Sequence, residues 1–259
     1  MSLTPGQLEK FNTDGVIELG PVLDAADVRE AQTRFGQVFE RLHASENKKL
    51  RNLFAASDKK EDQDKSAQRH YQLYNIFQHD EWFNALLYRK TLLDRVESVL
   101  GPNIQLLHDQ VFYKPARDGA PSDWHQDNSY WGYKPPKLCS IWIALDDVDL
   151  ENSCLHFVPG SHREPSPPQK SFKTPTGVEI FKLQIDESRL KSFPMPAGHA
   201  VMHDCMTIHG AYPNRSARPR RALGIHYLQT GLRRADGKTP ENLAESPVLR
   251  GHVPQVAAV

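Results

Sequence analysis

Cysteine is scarce: three residues in a chain of 259. Cys139, Cys154 and Cys205 are odd in number and wrongly spaced for a disulfide framework or a zinc knuckle, so they read as buried free thiols of a reducing compartment. An excess of charge is also missing, with 32 Lys plus Arg against 32 Asp plus Glu. No basic block interleaved with aromatics is present to track a phosphate backbone, and nucleic acid is not an expected partner. No apolar run approaches the roughly 20 residues that span a bilayer. Met1 to Glu9 lacks the basic and apolar regions of a signal peptide, and Ala257-Ala258-Val259 is not a peroxisomal tripeptide address. The expectation is a soluble, cytoplasmic protein without a membrane partner. No internal repeat is visible.

The remaining composition, 39% hydrophobic and 25% charged, supports a sizeable core in one domain covering residues 1–259. Thr4 before Pro5 reads as the cap and first residue of a helix that ends near Asp14-Gly15, with a strand beginning at Val16. A second helix opens at Asp24 and carries Val28, Ala31, Phe35, Val38, Phe39 and Leu42 on one face. From Ser45 to Arg69, charge, Asn, Gln and Ser surround the island Leu53-Phe54-Ala55-Ala56. That stretch is either a solvated loop or a lid that orders over substrate. An apolar cluster from Tyr71 to Phe77 and two short helices, Glu81 to Tyr88 and Thr91 to Leu100, complete a helical part over residues 1–101.

Beyond Gly101 the apolar period changes from 3.6 to 2, and strand signals run through a core of about residues 102–230. Leu138 to Leu145 is apolar on both faces and reads as a central, doubly covered strand. A long Pro-rich segment, Arg163 to Pro196, interrupts the pattern and is a second place for a lid, and residues 231–259 read as a wrapping arm. Helices first and strands afterwards predict an α+β domain whose catalytic half is an antiparallel double sheet, a cupin-like jelly roll.

The stretch Trp124-His125-Gln126-Asp127-Asn128-Ser129-Tyr130-Trp131 organises the functional reading. In an extended strand, residues two apart share a face, so His125 and Asp127 would offer an imidazole and a carboxylate side by side. One more distant histidine completes the two-histidine, one-carboxylate triad that leaves positions open on non-haem Fe(II). His209 is the candidate. It follows the turn-like Asp204-Cys205-Met206-Thr207 and precedes Gly210, which would let the backbone pass close to a metal. Spacing alone leaves His199, His203 and His226 as rivals. Arg220, eleven residues on (220 − 209), suits the distal carboxylate of a dicarboxylate co-substrate through two parallel charge-assisted bonds. Alternation puts Ala222, Gly224 and His226 on its face, and Arg218 and Arg221 read as solvated surface charges.

Several segments in matching order carry a resemblance: Leu8 to Ile17, Leu100-Gly101-Pro102-Asn103-Ile104, Lys114-Pro115, Trp124 to Asp127, Trp142-Ile143-Ala144-Leu145, Val158-Pro159-Gly160-Ser161-His162, and His209-Gly210 with Arg220. Over roughly residues 5 to 230 the chain resembles the phytanoyl-CoA dioxygenase family, a branch of the Fe(II)- and 2-oxoglutarate-dependent oxygenases. The resemblance implies a double-stranded β-helix with N-terminal helices packed outside. It also implies iron on His125, Asp127 and His209, and Arg220 on the C5 carboxylate of 2-oxoglutarate. Trp131 would stand against the co-substrate pocket, and Gln110 would help to hold the co-substrate. The hydroxyl residue that relatives often carry two positions after the distal histidine is Ala211 here, which leaves Thr207 or Tyr212 to supply the missing hydrogen bond.

The implied reaction consumes 2-oxoglutarate and O2, releases succinate and CO2, and hydroxylates or otherwise oxidises an unactivated C–H bond. Halogenating relatives replace the carboxylate by a small residue, so Asp127 implies hydroxylation and not chlorination. His108, Phe112, Asn128 and Tyr130, with Trp131 and with Phe172 or Phe181 from the long loop, are the expected substrate lining. No compact Lys and Arg cluster that must hold a CoA phosphate is visible, so the expected partner is a small organic molecule. Two other readings use the same ligands: a cupin-like metal-binding protein without catalysis, and a zinc hydrolase.

Overall fold

The computed structural model describes residues 1–57, 59–237 and 246–253. Its first helix, α1 (Pro5–Asp14), starts where Thr4 makes a reciprocal cap. The Thr4 hydroxyl accepts from the Gln7 amide at 3.2 Å, and the Gln7 side chain accepts from the Thr4 amide at 3.0 Å. Such a cap stabilises a helix by about 1 kcal/mol. Gly15, at φ 71°, ends it and turns the chain into β1 (Val16–Pro21). Asp24 accepts from two amides at 2.8 Å and opens α2 (Ala25–Ala44), whose buried stripe includes Val28, Ala31, Phe35, Val38 and Leu42.

The chain continues through β2 (Leu50–Asn52), α3 (Lys60–Lys65), β3 (Tyr71–Tyr74), α4 (Glu81–Leu87) and α5 (Lys90–Leu100). Then come β4 (Ile104–Lys114), β5 (Ser122–His125), α6 (Asn128–Trp131), β6 (Leu138–Ala144), β7 (Leu155–Phe157), β8 (Lys170–Lys173) and β9 (Glu179–Lys182). The series ends with β10 (Lys191–Phe193), β11 (His199–Asp204), β12 (His209–Ala211), β13 (Arg220–Gln229) and β14 (Val248–Arg250). The large antiparallel sheet has the order β1-β11-β6-β13-β4-β3-β2, with β14 also on β4; the smaller one is β10-β7-β12-β5; β8 and β9 form a separate hairpin.

Alternation explains how the large sheet serves two environments. Ile141, Ile143, Met202, Leu223, Ile225 and Tyr227 point outward into the core shared with α2, α4 and α5. Between them, Trp142, Ala144, Val201 and Ala222 point inward and pack on Leu155, Phe157, Phe193 and Ala211 of the small sheet. A strand covered on both faces must be apolar throughout, and every residue of β6 is buried. The architecture is the expected α+β jelly roll with helices outside the double sheet.

One expectation needs correction. Residues 45–69 contain β2 and α3, and β2 pairs with β3, which pairs with β4, so the large sheet reaches into the helical part of the chain. Three residues are too few to show a period of two. In the terminal arm, Leu249 is buried and Val248 pairs with Gln105, a wrapping strand; the Ala257–Val259 tripeptide lies outside the described residues. All three cysteines are free and buried, as their spacing predicts. Among the described residues, no helix is long and apolar enough to cross a membrane.

Candidate active site

A cavity of about 500 Å³ opens between the two sheets. At its base, β5 and β12 run antiparallel with His125 opposite His209, their ring centroids 4.3 Å apart. Asp127 Oδ1 lies 3.6 Å from His125 Nε2 and 3.6 Å from His209 Nε2. The three donor atoms fall within 4.8 Å of one another, and among the described residues they form the group of His, Cys, Asp or Glu able to hold a metal ion. The route to this geometry differs from strand alternation. β5 ends at His125, and Asp127 has helical dihedrals (φ −55°, ψ −41°) at the entrance to α6, so a turn brings the carboxylate beside the imidazole.

Hydrogen bonds fix which ring nitrogen faces the centre. His125 Nδ1 donates to the Asp123 carbonyl at 2.6 Å and His209 Nδ1 to the Thr207 carbonyl at 3.0 Å, which leaves each Nε2 lone pair for a metal. Burial, followed by the neighbouring His125 ring, pushes the His209 pKa down to about 3, so this ring is neutral at pH 7. Burial opposes ionisation of Asp127, yet the surrounding imidazoles hold its pKa well below the ordinary carboxylate range. A carboxylate and neutral imidazoles are the donor set that a divalent transition metal takes, so the residues fit the ion that the sequence implies.

Behind Asp127 runs a directional chain. Gln110 Nε2 donates to His226 Nε2 at 3.0 Å, His226 Nδ1 donates to Ser140 Oγ at 2.7 Å, and Ser140 donates to Asp127 Oδ2 at 3.1 Å. Each donor proton in this order is available once the Gln110 amide sets the His226 tautomer. His226 therefore orients the site from behind, and His203 stands 3.9 Å from Asp127 Oδ2; His199 is not on the cavity wall.

Arg220 opens β13 on the same wall and is 1% exposed. Its Cζ sits 5.7 Å over the Trp142 ring, and its Nε is buried without a hydrogen-bond partner. Burial lowers its pKa only to about 10, so it stays charged at pH 7. Among the described residues no carboxylate pairs with it. Arg221, next in the chain, points to the other face and donates to Asp146 at 2.9 and 2.5 Å. Lys114 is the cross-strand partner of Arg220 and is also fully buried, with Nζ on Ser153 Oγ at 2.9 Å and on the Tyr212 carbonyl at 3.4 Å. Burial and the nearby Arg220 charge hold the Lys114 pKa well below its usual value.

His108, Gln110, Phe112, Tyr130 and Trp131 all reach the cavity wall. Trp131 sets its edge against His226 and His108, with centroids at 5.0 and 5.7 Å. Gln110 keeps its Oε1 buried without a partner while its nitrogen serves His226. Asn128 does not line the cavity; its side chain bonds both Tyr133 backbone groups and closes the turn after α6. Phe181 packs on Tyr130 and Phe172 is exposed, so the long segment contributes Val178, Glu179 and Ile180 to the wall instead.

Neither replacement proposed for the hydroxyl missing at Ala211 reaches the cavity. Thr207 donates to the Gly15 carbonyl at 2.8 Å and Tyr212 to Glu187 at 3.2 Å. Gly210 is needed for a different neighbour than a metal: a Cβ there would meet Trp124 at 2.5 Å and the Ser122 carbonyl at 2.8 Å, so it permits the close approach of β5. Sequence reasoning missed His70 and Tyr74, which stand on the wall immediately before β3 and at its end. His70 is buried facing Lys114, Arg220 and His125, and burial first, then those charges, keep its pKa well below normal. Nothing local marks either residue; the pairing of β3 with β4 puts them there.

The chain is similar to known proteins in sequence and fold. A sequence model of the phytanoyl-CoA dioxygenase family covers residues 11–222. The peroxisomal phytanoyl-CoA dioxygenase of Bos taurus is 28% identical over 182 residues, covering 66% of this chain and 54% of that protein. The chain thus spans about half the length of that relative. The Homo sapiens protein of the same name is 25% identical over 263 residues, covering 96% of this chain and 76% of that one. The structure of EctD from S. alaskensis with 2-oxoglutarate and 5-hydroxyectoine superposes with a TM-score of 0.74 at 19% identity, covering 98% of this chain and 86% of that one, and shows the shared fold. With the family model matching most of the chain, the protein belongs to the phytanoyl-CoA dioxygenase family.

Proposed function

We propose that the protein is an Fe(II)- and 2-oxoglutarate-dependent dioxygenase that hydroxylates, or otherwise oxidises, a C–H bond of a small organic substrate and releases succinate and CO2. The observation that carries the reading is Arg220. A guanidinium buried to 1% exposure with no carboxylate partner among the described residues costs several kcal/mol of desolvation unless an anion occupies the site with it. Its place on the wall shared with the His125, Asp127 and His209 cluster suits a ligand carrying a carboxylate at each end.

His125, Asp127 and His209 would hold the iron, and Ser140 holds the Asp127 carboxylate in position. Bound Fe(II) supplies the centre at which 2-oxoglutarate and O2 are brought to react. Arg220 neutralises the distal carboxylate. His108, Phe112 and Trp131 exclude water and shape the space for substrate. With Asp127 among the residues that would hold the iron, the expected outcome is oxygen insertion and not chlorination; a purified iron enzyme that chlorinated its substrate would contradict this.

A metal-binding protein without catalysis has no use for the unpartnered Arg220, and a zinc hydrolase is indifferent to 2-oxoglutarate. The substrate does not follow from the fold: one pair of relatives is named for phytanoyl-CoA, and EctD holds 5-hydroxyectoine. Balanced charge supports a small-molecule partner and not nucleic acid, and three buried free thiols support a reducing compartment, the cytoplasm. The test is anaerobic titration of the apo-protein with Fe(II) and 2-oxoglutarate. Wild type is expected to develop the weak visible absorption of the iron-bound keto acid, and Arg220→Ala to require far more 2-oxoglutarate. Iron binding without that absorption in wild type overturns the reading.

A further inference from the structure

Resting on the oxygenase reading above, we infer that the prime substrate carries an oxyanion group, a carboxylate or a phosphate, on an apolar body, and that Lys48, Lys49 and Arg51 at the mouth of the cavity receive it. All three line the cavity, along with Leu53 and Phe54. The three lie together in the sequence, but a stretch dense in charge reads as solvated until β2 is seen to pair with β3 and carry them to the cavity.

Arg51 points to the cavity side of that hairpin. Its Nε donates to the Lys48 carbonyl at 2.8 Å, which fixes the guanidinium plane and leaves the two terminal nitrogens for a ligand. Among the described residues, none of the three cations is in an ion pair. The carboxylates on the same wall are otherwise engaged: Asp127 belongs to the metal cluster, and Asp123 is paired with Lys182 at 2.9 Å. Glu179, on the β8–β9 hairpin, is the acidic group left. Arg234 also lines the cavity but is paired with Asp236 at 3.5 Å. A chain with no net charge thus collects three unpaired cations against one unpaired carboxylate at one opening.

The sheet register gives the length of the substrate. Arg51 lies opposite Gln72, Gln72 opposite Phe112, and Phe112 opposite Ala222, a single row across four strands. Ala222 is two residues from Arg220 on the same face. Three strand steps therefore separate the outer cation from the inner one, about 14 Å between backbones. With Arg220 assigned to the dicarboxylate at the inner end, the outer cations are left for a second ligand. Between the two ends stand Tyr74, His108, Phe112 and Trp131, a wall for an aromatic or aliphatic body.

The test uses two fluorescent probes with the same apolar body: 1-anilinonaphthalene-8-sulfonate, an aromatic anion, and N-phenyl-1-naphthylamine, which lacks the sulfonate. They are titrated into the full chain loaded with Fe(II) and saturating 2-oxoglutarate without oxygen, so that Arg220 is already occupied. Wild type is expected to prefer the sulfonate by about ten-fold or more, the factor expected for hydrogen bonds to a charged group. Arg51→Gln and the triple reversal Lys48→Glu, Lys49→Glu, Arg51→Glu should abolish the preference while keeping the affinity for the amine. Equal binding of both probes by wild type, survival of the preference in the triple variant, or equal loss of both probes in Arg51→Gln overturns the inference.

Competition then identifies the group. Displacement of the sulfonate by phenyl phosphate supports a phosphate, displacement by phenylacetate supports a carboxylate, and equally good displacement by benzyl alcohol overturns the anion requirement. The 2-oxoglutarate absorption at iron is read separately in the same samples. A normal absorption with no probe preference rejects this inference alone; a preference without the absorption rejects the oxygenase reading.

Discussion

The two faces of the large sheet are built from the same strands and obey opposite rules. On the outer face, Ile141, Ile143, Leu223 and Ile225 meet helices across an apolar interface. On the inner face, one residue away along the same strands, stand Ser140, Arg220, Gly224 and His226. The outer face stabilises the fold at roughly 25 cal/mol per Å² of apolar surface buried. The inner face spends part of that stability on groups left short of partners, namely Arg220 Nε and Gln110 Oε1. Stability and site are thus written in alternate residues, and a substitution on one face should leave the other's property intact.

The largest effect that tests this separation is His209→Ala. Turnover and the 2-oxoglutarate absorption at iron should both vanish, while the thermal midpoint of the apo-protein stays near that of wild type. A large drop in that midpoint would show that the ligand also supports the fold. The converse variant is Phe35→Ala, in a residue of α2 buried to 3% exposure. Denaturant titration should show a loss of about 3–5 kcal/mol, with iron affinity unchanged in the surviving folded protein. Ser140→Ala should fall between the two, because it removes the hydroxyl holding Asp127. Iron affinity is expected to fall about 10–100-fold by equilibrium competition with a chelator, with little change in stability.

Asp109 is an exception on the outer face, and it predicts a smaller, pH-dependent effect. Asp109, on β4, is fully buried; its Oδ1 accepts from the Phe77 amide at 3.5 Å and its Oδ2 has no hydrogen-bond partner. Burial raises its pKa to about 7. The folded state therefore keeps a proton that the unfolded chain, with a carboxyl pKa of about 3.9, releases. The contribution of this group to stability should fall as pH rises from about 4 to about 7 and level off above that. Asp109→Asn should flatten the profile between those values in denaturant titrations, and an unchanged slope would reject the assignment.

Much of the fold was legible because its signals are local. Thr4, Asp24 and the α2 stripe mark helices through caps and periodicity, and the unbroken apolar run of β6 marks a strand covered on both sides. His125, Asp127 and His209 could be nominated from their chemistry, and the structure brings their donor atoms together. The missing parts depend on pairing between distant segments. β2 is three residues long and shows no period, so Arg51, and with β3 also His70 and Tyr74, reached the cavity unannounced. Asp127 was placed on a strand because the pattern cannot show where β5 gives way to the α6 turn. Thr207 and Asn128 carry polar groups that suit a ligand, yet nearby backbone groups claim both first.

Among the described residues, the β8–β9 hairpin pairs only with itself as a sheet and meets the body through few polar ties. Tyr130 accepts from the Phe181 amide at 3.2 Å, Lys182 pairs with Asp123, and the Leu183 amide donates to the Trp124 carbonyl at 2.9 Å. It nonetheless supplies Val178, Glu179 and Ile180 to the cavity wall and none of the three residues proposed to hold the metal. Substitutions confined to this one surface element are therefore expected to reshape the cavity wall while leaving His125, Asp127 and His209 untouched.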